Sequence, residues 1–242
     1  MASYKKSADT CKHILDAAEN LFYEKGYTAT TTREIADKSG ISRGNLTYHF
    51  PNKSDIATEI CCMFYESFFD EIKENFGDID DIILRDSIHT AIQMRLLMTK
   101  NKYMDFYQEL DRYHIQSSLS VDMNFRHFVE QAEYLELGYT QGELIACATV
   151  FPSALTSLVH AVKRRENRLT EDEAVEMMHR VHLNLLRLDN ASIEAYIAKA
   201  REYTDRTTWV IPALTSIKLE YKKTDVKKHS TVLCFFIKNN CN

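Results

Sequence analysis

Apolar positions recur at helical spacing along most of the chain. From Ser7, residues Cys11, Ile14, Leu15, Ala18, Leu21 and Phe22 form one stripe, which Gly26 ends. A second, short helix is predicted from Thr31, where Glu34 three residues later completes a capping box, and Gly40 stops it. Ile41 plugs the following turn, and Ser42 caps a third helix over R-G-N-L-T-Y-H. That helix turns Leu46 and Phe50 inward and leaves Arg43, Asn45, Thr47, Tyr48 and His49 for its outer face. A fourth helix follows, with Asn52 as its predicted cap and Lys53–Phe76 as its body.

Further stripes run from Ile79 to Lys100, Tyr103 to Ile115 and Met123 to Leu137. From Gly142 to Arg164, Leu144, Ala148, Leu155 and Val159 alternate with the small residues Ala146, Ala154, Ser157 and Ala161, and Pro152 is expected to kink or split the segment. Thr170 opens a capped helix whose apolar face is Ala174, Met177, Met178, Val181, Leu185 and Leu188. No strand-like alternation competes before the tail. The expected fold is all-α: a three-helix headpiece over 1–52, a helical bundle over 53–208, and a tail over 209–242 whose structure the pattern does not define.

Composition agrees. With 6 Gly and 3 Pro in 242 residues, the chain is poor in the residues that punctuate β-structure. The six cysteines, Cys11, Cys61, Cys62, Cys147, Cys234 and Cys241, contain no C-x-x-C pair, and no apolar leader precedes Lys5 and Lys6, so a reduced, cytoplasmic protein is expected. The best uninterrupted apolar run, Val232 to Ile237, falls far short of the roughly 18 residues that cross a bilayer, and no membrane partner is expected. A net charge of -5 excludes a uniformly basic coat, so any contact with nucleic acid must come from a local patch.

The headpiece supplies such a patch. Small Ala36 allows two helices to approach, Gly40 makes the turn, and Ile35, Ile41 and Leu46 hold the crossing angle of a helix-turn-helix. The outer face of the third helix then carries side chains able to hydrogen-bond base edges or phosphates in a major groove. The stretch GYTATTTREIADKSGISRGNLTYHFPNKSDI, from Gly26 to Ile56, closely resembles the TetR-type headpiece, departing from the common family pattern at Thr47, where members often carry a further Tyr. The resemblance covers roughly the first 60 residues and is architectural beyond them. It implies phosphate contacts from Thr31, Thr32 and Arg33, a phosphate clamp at Lys53, base readout by Arg43, Asn45 and Thr47, close backbone approach at Gly44, and sugar-phosphate contacts from Tyr48 and His49. Ser42, at the third helix's cap, belongs to the same contact set.

The resemblance also implies a homodimer in which the two late helices pair with their copies, bringing two headpieces to half-sites on a palindromic operator. The alternative is that both helices are internal core. In the middle helices Met94, Met98, Tyr103, Tyr107, Phe125 and Phe128 are candidates to line a pocket for an unidentified small-molecule effector, although such stripes also serve as plain core. His89, Gln93, Arg95 and His114 are polar groups that could orient a ligand. Effector binding would then act on operator affinity through the fourth helix, and family habit favours a repressor.

A rival reading is a metal-binding bundle or di-iron oxidoreductase, since Glu176 with His179, Asp86 with His89, and His182 supply metal-type donors. No further inward carboxylates complete the set, no P-loop, dinucleotide glycine motif or zincin motif occurs, and neither cofactor, metal nor enzymatic activity is expected. The tail after Trp209, with Lys218, Lys222, Lys223, Lys227 and Lys228 ahead of TVLCFFI, could add a strand or helix, remain disordered, or touch DNA.

Overall fold

The computed structural model describes residues 2–99, 102–113, 115–164 and 169–222. Among them are ten helices and one two-stranded sheet. His114, Lys223, Lys227, Lys228 and the apolar run from Val232 lie outside the described residues.

The chain forms two compact units. The first gathers, of the described residues, 2–70, 102–113, 115–119 and 210–218. Helix α1 (Ala2–Lys25) packs on α2 (Thr32–Ser39), α2 on α3 (Arg43–His49), and α1 also on α6 (Lys102–Arg112). Ile14, Ala18, Phe22, Ile35, Ala36, Leu46, Ile56 and Ile60 are among its buried apolar residues, the last two from α4 (Lys53–Phe76). Phe22 stacks on Phe106 at 5.5 Å, and Phe64 on Tyr103 at 3.9 Å. Asn52 stands at the cap position of α4, where its backbone carbonyl accepts from Asp55 N–H at 3.2 Å. Its backbone and side-chain N–H groups donate to the Asp55 carboxylate, so Asp55 orders the first turn.

The second unit gathers, of the described residues, 71–99, 120–164, 169–209 and 219–222. Helix α5 (Ile82–Met98) is at its centre, packed against α8 (Gln141–Lys163), α9 (Glu171–Leu185) and α10 (Asn190–Thr204). Residues 120–134 of α7 (Ile115–Tyr134) complete it. The α5 cap, Asp81, accepts from the N–H groups of Ile83 and Leu84 and from the Tyr196 hydroxyl at 3.0 Å. The capping boxes Thr140/Glu143 and Thr170/Glu173 start α8 and α9. Pro152 lies inside α8, which runs unsplit.

Two features differ from the sequence pattern. The first is a β-hairpin, β1 (Thr207–Ala213) and β2 (Ser216–Tyr221), in which more and less exposed residues alternate along β1 and Ile217 and Leu219 of β2 are buried. A boundary at 209 therefore falls inside β1. Strand β2 hydrogen-bonds to side chains of α4. Ser67 exchanges bonds with the backbone of Ile217, the Glu71 carboxylate accepts from Leu219 N–H at 2.8 Å, and the Asn75 carbonyl oxygen accepts from Tyr221 N–H at 3.3 Å. Four helical residues advance about 6 Å and two strand residues about 6.7 Å, so the spacings stay matched over this length.

The second is α8, which is long and apolar enough, by length and composition alone, to cross a membrane. A count of uninterrupted apolar residues does not single this helix out. Thr149, Ser153, Thr156 and Ser157 break the apolar run without adding charge, so the average stays apolar. Only 28% of that apolar window is buried.

Candidate nucleic-acid interface

The helix-turn-helix is built from reciprocal local bonds. The Thr31 hydroxyl accepts from Glu34 N–H, and the Glu34 carboxylate accepts from Thr31 N–H at 2.9 Å. The same carboxylate meets Lys25 of α1 at 2.5 Å, while Glu24 pairs with Lys38 at 3.6 Å, fixing α2 against the end of α1. The Lys25 bond, with the bonds from Thr31, draws the Glu34 carboxyl down to about 2. At the far end Gly40 takes φ 71°, and the N–H groups of Gly40 and Ile41 return to α2 carbonyls. This left-handed position suits a residue without Cβ. Ser42 then accepts from Asn45 N–H at 3.2 Å to start α3.

Helix α3 divides sharply. Leu46 is 1% exposed, whereas Arg43, Gly44, Asn45 and Thr47 are exposed and Tyr48 is 82% exposed. Thr47 donates its hydroxyl hydrogen to the Arg43 carbonyl, which leaves its oxygen lone pairs and methyl for a partner. Thr31 and Arg33 are exposed at the start of α2, Thr32 is half-buried, and Arg33 meets only Asp37, at 3.9 Å, a pair exposed on both sides. The α2 start and the α3 face thus present polar side chains and a guanidinium at each helix N-terminus, where backbone N–H groups also favour anions.

Two residues have roles the sequence did not reveal. Lys53 donates to the carbonyls of Tyr27 and Thr30, both at 2.8 Å, and lies 4.1 Å above the Tyr27 ring. It braces the loop between α1 and α2, with one N–H left for a phosphate. Burial lowers its pKa, opposed by Tyr113 and Glu109. His49 is half-buried, its Nδ1 3.3 Å from the Cys11 sulfur of α1, so that edge of the ring faces the headpiece itself. Neither partner is adjacent in sequence.

The loop after α1 carries a further tie. Gly26 adopts φ 87°, and the Glu109 carboxylate of α6 accepts from Thr28 N–H at 3.0 Å. Tyr113 packs edge-on against Tyr27 at 5.3 Å.

The effector-pocket candidates divide between the units. Tyr103 and Tyr107 are buried in the first; Met94, Met98 and Phe128 are buried and Phe125 half-buried in the second. The second unit also holds a polar chain. The Asp86 carboxylate accepts from the Gln131 amide, whose oxygen lies 3.0 Å from His182 Nε2. His127 Nδ1 stands 3.9 Å from the same carboxylate. Burial works to raise the Asp86 pKa, yet the neighbouring His127 ring and the Gln131 bond bring it below the ordinary value. Burial pushes His89 and His182 down to about 4, and lowers His179 despite its bond to the Ser87 carbonyl at 2.8 Å. The histidines weighed as metal ligands therefore join a hydrogen-bonded interior, and Glu176 pairs with Arg180 at 2.8 Å and Arg201 at 3.5 Å. Among the described residues no group of three or more His, Cys, Asp or Glu is placed to hold a metal.

Comparison with known proteins places this geometry in context. Residues 14–60 match the family model described as bacterial regulatory proteins, tetR family. The HTH-type transcriptional repressor KstR2 of Rhodococcus jostii (strain RHA1) is 29% identical over 124 residues, 51% of this chain and 54% of KstR2. The HTH-type transcriptional regulator AcrR of Shigella flexneri is 41% identical over 56 residues, 23% of this chain and 26% of AcrR. The matched stretch thus spans about half of KstR2 and about a quarter of AcrR. The crystal structure of RolR in complex with resorcinol superposes with a TM-score of 0.60 at 14% identity, covering 81% of this chain and 95% of RolR, a likeness of fold.

Proposed function

We propose, from the match of residues 14–60 to the tetR-family model, that the chain is a TetR-type, sequence-specific DNA-binding transcriptional regulator, a repressor released from a palindromic operator by a small molecule. The observation that carries the reading is α3. Its single buried anchor, Leu46, leaves Arg43, Asn45, Thr47 and Tyr48 exposed at the end of a capped and braced helix-turn-helix. Arg43 and Asn45 suit bidentate contacts with guanine and adenine, Thr47 suits a thymine methyl, and Thr31, Thr32, Arg33, Ser42, Gly44, Tyr48, His49 and the remaining donor of Lys53 serve the backbone.

The working form is a cytoplasmic homodimer. On α8, Ile145 and Val150 are 47% exposed beside the exposed small residues Ala146, Ser153 and Ser157, and on α9 Met177 is 49% exposed, one turn before half-buried Val181. An apolar surface rich in small side chains permits close approach of a second copy. Two headpieces would then meet half-sites about one or more helical turns apart. A coupling of about 1 to 3 kcal/mol between effector and operator corresponds to roughly a 5- to 150-fold change in affinity.

Selection of bound duplexes from a random pool at fixed salt tests the reading. An enriched inverted repeat is the expected result, and a pool without enrichment would overturn sequence-specific regulation.

A further inference from the structure

The polar chain of the second unit fixes the protonation of its last member. Asp86 is ionised, so the Gln131 amide must turn its NH2 to the carboxylate and its oxygen to His182. That oxygen only accepts, so His182 Nε2 carries the hydrogen. A neutral imidazole has one N–H, which leaves Nδ1 a bare acceptor. His182 is 3% exposed, and its Nδ1 is buried without a hydrogen-bond partner among the described residues. Around the ring stand Phe151 at 5.1 Å and Phe128 at 5.7 Å, both edge-on, themselves 5.9 Å apart. An acceptor taken from water without replacement is costly, and a donor that satisfies it recovers that free energy.

Building on the regulator reading above, we propose that His182 Nδ1 is the polar anchor of the effector subsite, receiving one O–H or N–H donor of an uncharged, ring-bearing small molecule that packs against Phe128 and Phe151. The rings supply apolar contact, and the anchor supplies orientation. The same burial that keeps His182 and His89 uncharged would penalise an ionised ligand. The negative charge of Asp86, which acts on His182 through space, would also disfavour an anion. The class is therefore a neutral phenol-like donor, not a carboxylate or an ammonium. Sequence reading named Phe128 as a pocket residue and His182 as a metal candidate; Gln131, which sets the tautomer, carried no local signal.

Phenol and anisole test this on the full chain, because they match in ring and differ in the donor. Calorimetry should show phenol binding roughly tenfold more tightly than anisole, the worth of one buried hydrogen bond, with benzoate not binding. In histidine-labelled protein, the 15N resonance of His182 Nδ1 should be that of an unprotonated, unbonded nitrogen and should move to the hydrogen-bonded position with phenol alone. His182→Phe should abolish the preference while retaining anisole binding. Equal affinities, no phenol binding, a hydrogen on Nδ1, or an Nδ1 already bonded to resident water and unmoved by phenol would each overturn the subsite. The nitrogen measurement needs no variant, so an unfolded His182→Phe does not protect the proposal. Duplex selection on the same preparation separates the two readings: an operator bound without phenol recognition sinks the subsite alone, whereas no operator sinks the regulator.

Discussion

Replacing Gly26 by Ala perturbs the headpiece in two separable ways. Both Gly26 and Gly40 have positive φ, 87° and 71°, and a Cβ in the left-handed region costs about 1–2 kcal/mol. At Gly40 an added Cβ meets nothing within 4 Å, so Gly40→Ala should lose that amount only. At Gly26 the Cβ would stand 2.9 Å from the Glu109 carboxylate, which must swing away and release Thr28 N–H. That bond is solvent-exposed, and its loss adds about 1 kcal/mol, for a total of about 2–3. Glu109→Ala alone should cost about 1 kcal/mol. The double variant should cost no more than Gly26→Ala, a non-additivity of about 1 kcal/mol. Urea denaturation monitored by circular dichroism measures all four proteins. Strict additivity, or equal losses for Gly26→Ala and Gly40→Ala, would refute the reasoning.

Arg43→Ala and Asn45→Ala should each reduce discrimination for the selected operator by about 1–3 kcal/mol with unchanged melting temperature, as read by competition binding. The depressed pKa of Glu34 contributes stability that is present above its unfolded value near 4.5 and lost as pH falls toward about 2; melting curves against pH should show a loss that Glu34→Gln lacks. His89 and His182 are depressed bases, which the unfolded chain protonates first, so stability should fall as pH drops from about 6.5 to about 4 and then level, a step that denaturant titrations can follow. Val150→Glu on α8 should yield a monomer by light scattering and weaken operator binding; a stable dimer would place the subunit contact elsewhere.

Local chemistry made the headpiece legible. The Thr31/Glu34 box, Gly40 and Ser42 act within a few residues, and each performs in the structure the role its position suggests. What escaped depends on distance. Pro212 inside β1 and a connection of Leu214 and Thr215, without Gly or Asn, hid the hairpin. Lys53 finds carbonyls more than twenty residues away, and His49 meets Cys11 across 38. Asp86, Gln131 and His182 come from three helices, so no spacing rule could join them. The apolar character of α8 needed averaging over its hydroxyl residues rather than a count of consecutive hydrophobes.

The pairing of β2 with Ser67, Glu71 and Asn75 makes the strand an indicator of the helix beside it. The amide hydrogens of Ile217, Leu219 and Tyr221 are shielded by side chains whose positions depend on the winding of α4. Their rates of exchange with deuterated solvent therefore register loosening or rewinding of that helix, and three amides placed along its length would tell at which turn the change begins.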